Sequence, residues 1–284
     1  MPDTDFDLAT WAKRIGLSGR RQPDLATLRA IVSAQGMTIP FENLDVLLGR
    51  MPRLDPESLQ RKLVTERRGG YCFELNSLLY AALTAIGFQV TRLIARVIVG
   101  LDADSPRPAT HMVLRVDLPE GPFLADVGFG NLTPTAPLRL EPDIEQATPH
   151  EPMRLVPAGA DLVLQAKLGE AWKNIYRLAP EPKLPIDFEV ANWFTATHPA
   201  SPFVSNAVAS RPGPGGTRIT VFNGRLTIRR PGAETERRMF DDEEDWLVSL
   251  AGLFGLPLPA EDVRETLAVL ARHGTLGAVH PFFD

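Results

Sequence analysis

The sequence predicts an α+β chain in three consecutive parts: helical over residues 1–87, β-rich over 88–198 and mixed over 199–284. Three observations point there. Before Phe88, apolar residues recur at helical spacing between capping signals. From Phe88 onward they alternate and are β-branched. A Pro/Gly-rich stretch at 199–216 then precedes a hairpin signal and a closing pair of helical segments.

Asp24 opens a helix to Gln35, with Leu25, Leu28, Ile31 and Val32 on one face and Gly36 as its stop. Asp55-Pro56-Glu57 reads as the N-cap, first-turn proline and first-turn acid of another helix. Leu59, Leu63 and Val64 form its apolar face, and Gly69-Gly70 breaks it. The next helix carries Leu75, Leu78, Leu79, Ala82, Leu83 and Ile86 and stops at Gly87. Strands follow at 88–99 and from Thr110 to Asp117; Pro119-Glu120-Gly121-Pro122 is a turn, and Phe123 to Phe129 continues as a strand. Leu155, Leu162 to Leu168, Trp172 to Leu178 and Phe188 to Val190 read as further short strands, the pattern of an antiparallel barrel or sandwich. Residues 199–216 are the best linker candidate. Arg218–Phe222 and Arg225–Arg229 flank Asn223-Gly224 as a hairpin. Helices at about 242–254 and 259–272 close the chain. The run Asp241 to Asp245 suits the positive end of the first, and Gly274 stops the second.

The 284 residues, 44% hydrophobic and 23% charged, supply a substantial core and exclude a disordered chain. A net charge of -5 and a pI near 5.6 argue against a dedicated nucleic-acid binder. The single cysteine permits no intramolecular disulfide and points to a reducing cytoplasm. Met1 to Asp7 is acidic and lacks an apolar run, unlike a signal peptide. No apolar stretch approaches the roughly 20 residues of a membrane helix. The lone cysteine and scattered histidines give no metal-ligand spacing.

Cys72 is the most informative residue. It follows Arg67-Arg68-Gly69-Gly70-Tyr71 at the first turn of a helix, where unpaired N–H groups and the helix dipole favour a thiolate. A lone cysteine is otherwise most often a small core residue; the paired glycines, which let a substrate approach the sulfur, weigh against that here. A nucleophilic cysteine needs a base and a group that orients the base. Of the five histidines, His111, His150, His198, His273 and His280, His150 falls in a loop, His273 at a helix C-terminus, where a cation is favourable without any function, and His280 near the terminus. His111 sits within a strand, which holds its side chain rigidly, and Asp126 is on the next strand. If the connecting loop is even, their odd separation puts both on one face; the register stays open. A satisfied strand histidine beside an unrelated carboxylate is the competing reading.

Arg67-Arg68-Gly69-Gly70-Tyr71-Cys72-Phe73-Glu74-Leu75-Asn76 resembles the nucleophile motif of the arylamine N-acetyltransferases. Ile39-Pro40-Phe41-Glu42-Asn43-Leu44, Thr110-His111-Met112, Leu124 to Gly130, Asn192-Trp193-Phe194 and Ser201-Pro202-Phe203 are similar to further segments of that family, in the same order from 40 to 203. Residues 204–284 carry no motif that can be matched. The resemblance implies a helical bundle, a β-barrel and an α/β lid around a catalytic core similar to papain-like and transglutaminase-like enzymes. It implies a Cys72–His111–Asp126 triad and ping-pong acetyl transfer from acetyl-CoA, a co-substrate and not a resident cofactor, through an acetyl-cysteine thioester. Acceptors would be arylamines, arylhydrazines or N-hydroxyarylamines, the chemistry of xenobiotic metabolism.

By the same resemblance Phe41, Phe129 and Phe203 would line an aromatic acceptor pocket, and Thr110 and Gly130 the entry for pantetheine. Each phenylalanine could equally be ordinary core. Gly128-Phe129-Gly130 is too short for a dinucleotide fingerprint. The Cys72 N–H is a possible oxyanion donor. Arg67 is expected in a salt bridge with Glu42 or another carboxylate, and Arg229-Arg230 and Arg237-Arg238 on solvated faces. Neither nucleic acid nor membrane is expected as a partner. Two other readings stay open: a thiol hydrolase or amide synthase using another acyl thioester, and a β-barrel binding protein with a structural cysteine.

Overall fold

The computed structural model describes residues 6–19 and 21–279; Met1 to Asp5 and His280 lie outside the described residues. The first part is helical. Asp7 caps α1 (Leu8–Arg14) and Asp24 caps α2 (Leu25–Thr38) through their side-chain oxygens. Gly36 is not a stop: α2 runs on to Thr38, and a Cβ at Gly36 would stand 4.0 Å from Val127. Next come β1 (Phe41–Glu42), α3 (Leu44–Leu47) and α4 (Pro56–Leu59), the last extended by a π-turn over Gln60–Thr65. Asp55 accepts the Ser58 N–H at 2.9 Å, the cap its position predicts. The helical run ends before Gly69-Gly70, at a left-handed Arg67 (φ 58°). The glycine at 69 serves closeness instead, since a Cβ there would lie 2.5 Å from the Pro40 carbonyl. Then α5 (Cys72–Ile86) begins at the cysteine and ends at Gly87, φ 105°.

Seven strands follow: β2 (Gln89–Val97), β3 (Ala109–Leu118), β4 (Gly121–Ala125), β5 (Leu138–Arg139), β6 (Met153–Ala158), β7 (Asp161–Leu168) and β8 (Ala171–Leu178). They pair antiparallel in the order β5-β4-β3-β2-β8-β7-β6. Bridges Pro142–Leu155 and Gln146–Met153 bring the chain after β5 to β6 and nearly close the ring. The architecture is therefore a barrel and not a sandwich. Alternation sorts the side chains: Leu93, Val113, Leu124 and Leu164 fill the barrel, while Met112, Leu114 and Val116 pack against the helices. The strand expected over Phe123–Phe129 ends at Ala125, and the turn ahead of it is shorter, since Gly121 and Pro122 already pair with β3.

Phe188–Val190 is not a strand but lies within α6 (Pro185–Thr197). Pro185 takes a first-turn position and Asp187 accepts the Leu184 N–H at 2.9 Å, signals stronger than a brief alternation. The expected linker is also structured. Its residues 208–212 form β9 (Val208–Pro212), a buried strand between β1 and the hairpin β10 (Arg218–Phe222) and β11 (Arg225–Arg229). With β12 (Glu236–Met239) they make a five-stranded sheet in the order β1-β9-β10-β11-β12. Asn223 (φ 50°) and Gly224 (φ 88°) form the two-residue turn their sequence predicts. Behind this sheet pack α7 (Glu243–Ser249), continued by a π-turn to Phe254, and α8 (Ala260–His273), stopped at Gly274. Among the described residues no helix is long and apolar enough to cross a membrane.

The barrel and the five-stranded sheet meet through polar contacts. Buried Arg218 on β10 pairs with Glu151 at 2.5 Å and donates to the Thr133 carbonyl at 3.0 Å. Arg229 is not on a solvated face: its guanidinium donates to Asn131 Oδ1 at 2.7 Å. Arg230 and Arg238 are exposed, as expected, and paired with Glu236 and Asp245. Removing Arg218 strands Glu151 beside a buried carbonyl. Arg218→Ala should therefore lower the free energy of unfolding by about 3 kcal/mol, the scale for breaking a buried ion pair. Urea denaturation at pH 7 checks this, and a loss under about 1 kcal/mol would demote the contact to a solvated pair.

Candidate active site

Cys72 opens α5 because the preceding chain is drawn tight. The Tyr71 N–H donates to Glu74 Oε2 at 3.1 Å, and Lys62 Nζ donates to Glu74 Oε1 at 2.7 Å. Burial pushes the Glu74 carboxyl up from its ordinary range, while Lys62 pulls it back down. The Tyr71 hydroxyl donates to Asn192 Oδ1 on α6. Arg68, and not Arg67, pairs with Glu42, at 2.8 Å. The left-handed backbone at Arg67 leaves that residue exposed.

His111 faces the barrel interior on β3, in the same parity as Val113. Asp126 lies just past the end of β4, since the ladder's last β3–β4 pair is Leu114–Ala125. The two are therefore not cross-strand neighbours. They meet because the chain bends after Ala125, and His111 Nε2 stands 2.7 Å from Asp126 Oδ2. Both are buried, and the Cys72 thiol is beside the imidazole. The Cys72 sulfur also donates a long hydrogen bond, 3.5 Å, to the Thr110 carbonyl. Burial alone would lower the histidine's pKa, but Asp126 and then Cys72 outweigh it and push His111 up to about 10. Asp126 is held below its ordinary value: burial opposes this, but His111, Asn76 and the Gly128 N–H win.

Three residues of this site escaped the sequence reading. Asn76 donates to Asp126 Oδ1 at 2.9 Å and to the Met112 carbonyl at 2.7 Å, and accepts the Val127 N–H at 3.0 Å. Its signal was present, since it lies one helical turn after Cys72 on the same face. Gly128 is needed for closeness: a Cβ there would lie 2.8 Å from Cys72 Cα. Tyr176 on β8 packs on His111 and Phe129, with ring centroids 5.0 and 5.4 Å away. Its hydroxyl is buried near Asp126; burial, then that carboxylate, raise its pKa well above the usual phenol value. Nothing in a β8 alternation pattern announces that neighbour.

Cys72 and His111 open onto a cavity of about 380 Å³. Phe41, Phe129 and Phe203 all line it, as does Thr110. Gly130 stands one layer back, where a Cβ would meet the Phe41 ring at 3.5 Å. Phe129 is both wall and core, meeting the His111 ring edge-to-face at 5.1 Å. Phe194 joins the lining, whereas its neighbour Trp193 is 59% exposed. Among the described residues, Arg107 is the one Lys, Arg, Asp or Glu in the lining. A more open groove of about 540 Å³ lies between β11–β12 and the end of α7, away from Cys72 and His111. The other described histidines stay apart from Cys72: His150 bridges Thr135 and Thr217, His198 stacks on Phe194, and His273 ends α8.

A family profile described as N-acetyltransferase matches residues 24–263. The arylamine N-acetyltransferase of Mycolicibacterium smegmatis is 44% identical over 89% of this chain and 93% of its own length. A Salmonella typhimurium protein named arylamine N-acetyltransferase / N-hydroxyarylamine O-acetyltransferase is 40% identical over 92% of this chain and 91% of its own. The Mycobacterium marinum arylamine N-acetyltransferase, solved in complex with CoA, is 39% identical and superposes with a TM-score of 0.87 over 95% of this chain and 99% of that one.

The His111–Asp126 pair sets a pH dependence of stability. Below the ordinary histidine value of 6.5 the imidazole is charged in both folded and unfolded chains, and its stabilisation is fully present. From 6.5 up to about 10 the unfolded chain loses that proton while the folded one keeps it, so stability falls as pH rises. The depressed Asp126 adds stability above 3.8 that is lost on acidification. Thermal melts should thus show Tm declining across pH 6.5–10, with a flatter decline in His111→Gln. Parallel profiles for the two proteins would show that the histidine carries no such charge.

Proposed function

The chain belongs to the arylamine N-acetyltransferase family, and from that membership we propose that Cys72, His111 and Asp126 transfer the acetyl group of acetyl-CoA to aromatic nitrogen through an acetyl-Cys72 thioester. One observation carries the reading: a buried imidazole held at 2.7 Å by a carboxylate and flanked by the thiol at the floor of an aromatic cavity. Asp126 accepts from Nε2–H, which leaves Nδ1 for Cys72 and stabilises the imidazolium. The Cys72 thiolate attacks the acetyl carbonyl. The tetrahedral intermediate collapses with loss of the CoA thiolate, which takes the His111 proton. A neutral arylamine then attacks the thioester, gives its proton to His111, and Cys72 leaves as thiolate. Arylhydrazines follow the same path, and N-hydroxyarylamines accept on oxygen.

In this reading residues 1–87 carry the nucleophile, 88–198 the base and its carboxylate, and 199–284 the lid. Phe41, Phe129 and Phe203 hold the acceptor ring, and Thr110 borders the pantetheine entry with Gly130 behind Phe41. Arg107 at the rim meets the phosphates of the coenzyme. A free, reactive cysteine fits a reducing cytoplasm.

Incubation with acetyl-CoA followed by intact mass spectrometry should find one acetyl group, on Cys72. Cys72→Ser should stay folded, take up no acetyl and transfer none; turnover near wild type in that variant would sink the nucleophile assignment. Asp126→Asn should lower transfer by about 10⁴-fold, because the amide admits the wrong histidine tautomer. A folded Asn variant with unchanged rate would remove Asp126 from the triad. Phe129→Ala should weaken the amine step by about 1 kcal/mol beyond lost burial. Preloaded acetyl-enzyme isolates that step, and an equal fall in both half-reactions with a lowered Tm would make Phe129 core only.

A further inference from the structure

The motif Ile39-Pro40-Phe41-Glu42-Asn43-Leu44 contributes Phe41 to the cavity and Glu42 to the Arg68 pair, but neither explains Asn43. Its side chain is 2% exposed and makes three hydrogen bonds to one remote segment. Nδ2 donates to the Phe203 carbonyl at 3.0 Å and to the Asn206 carbonyl at 2.8 Å, and Oδ1 accepts the Val208 N–H at 2.7 Å. That segment, Pro202 to Val208, forms the cavity wall bearing Phe203. Its other polar groups are met in the same way. Asn223 Oδ1 accepts the Ala207 N–H and Asn223 Nδ2 donates to Asn206 Oδ1, each at 2.8 Å. Asn206 Nδ2 donates to the Pro202 carbonyl at 2.8 Å, and Thr275 Oγ1 to the Ser205 carbonyl at 2.7 Å.

We infer that Asn43 is a positioning residue for the acceptor step: its side chain clamps the 202–208 wall so that Phe203 stands fixed beside Cys72. The inference rests on the reading of Phe203 as part of the acceptor site. The wall lies between α6 and β9 and has no ladder of its own over Phe203–Ala207; the side chains of Asn43, Asn223 and Thr275 hold it, together with the Asn223 N–H on the Ala207 carbonyl at 2.9 Å and the Asn43 N–H on the Val208 carbonyl at 3.3 Å. Phe203 is fixed on its ring side by Phe41, 5.9 Å away and two residues before Asn43, and by Tyr71, 6.2 Å away and next to Cys72 in sequence. The clamp therefore refers the acceptor wall to the nucleophile. Releasing it frees Phe203 without touching the triad, so the loss falls on amine binding and not on acetylation.

The test measures both half-reactions separately, with p-anisidine as acceptor, in Asn43→Ala, Phe203→Ala and the double variant. Asn43→Ala should keep the rate of Cys72 acetylation within about two-fold and raise the KM for p-anisidine about ten-fold. Phe203→Ala should raise it comparably, and adding Asn43→Ala to it should change little more, since one acts through the other. Thr275→Val, a milder cut at the same segment, should move the same KM in the same direction if Asn43→Ala folds poorly. An Asn43→Ala variant that slows both half-reactions together, leaves the amine KM unchanged, or acts undiminished in the Phe203→Ala background overturns the clamp. Phe203→Ala with an unchanged amine KM overturns the acceptor-wall reading and the clamp with it. A Phe203→Ala effect without an Asn43→Ala or Thr275→Val effect overturns the clamp alone.

Discussion

The buried carboxylate of Asp126 is the constraint around which the rest of the molecule is arranged. An unpaired charge at that depth would cost several kcal/mol. It is met by three donors: His111 Nε2 from β3, Asn76 Nδ2 from α5 and the Gly128 N–H from the turn after β4. Those donors can converge only if α5 is pressed against the end of the barrel. Asn76 does the pressing, because it also binds the Met112 carbonyl and the Val127 N–H. Gly128 then permits it, since a Cβ would strike the backbone of Cys72. The place of Cys72 is thus a by-product of satisfying the carboxylate.

Behind the cysteine lies a second layer of charge. Lys62 pairs with Asp45 at 2.6 Å and Glu74 at 2.7 Å, and Arg68 with Glu42 at 2.8 Å. Arg50 extends the layer to Asp262 on α8 at 2.6 Å. The Lys62 and Arg68 pairs are largely buried, and pairs of that kind add little net stability over apolar packing, because desolvation offsets most of the attraction. Their directional bonds do constrain geometry. They fix the backbone from Pro40 to Cys72, where a Cβ at Gly69 or Gly70 has no room. They also tie the first helices to the last one, across a sheet that already joins β1 to β9.

What was legible in the sequence follows from whether the cause was local. Asp55, Gly87, Asn223-Gly224 and Gly274 act within a few residues, and each element boundary they mark is where the sequence puts it. The seven-strand count was not legible as a closed ring, since closure depends on bridges from the irregular chain after β5. Phe188–Val190 misled because a short amphipathic helix and a short strand share alternation over three residues. The prolines of 199–216 read as a linker, yet β9 is paired on both sides, which only its remote partners reveal. At the candidate site, the placement of Cys72 at a helix start and of His111 within a strand was legible. The meeting of His111 with Asp126 was not, because the ladder ends before Asp126 and the contact is made by a bend. Arg68 rather than Arg67 reaches Glu42 because Arg67 takes a left-handed backbone.

The acceptor wall brings these constraints together. In the proposed reaction, a surface that faces a thioester and an aromatic ring has to be apolar toward the cavity, or water would be retained there and compete with the amine. The segment ahead of β9 is a single 3-10 turn over Pro202–Val204 followed by irregular chain, and its backbone groups still require partners away from water. Asparagine suits the task better than serine or glutamine. Its short amide offers both a donor and an acceptor at fixed reach, and few torsions are immobilised in using them. Asn43 and Asn223 stand on opposite sides of the segment, one beside β1 and one at the β10–β11 turn. The wall is thereby held between the helical part that begins α5 at Cys72 and the five-stranded sheet, with Phe203 carried between the two.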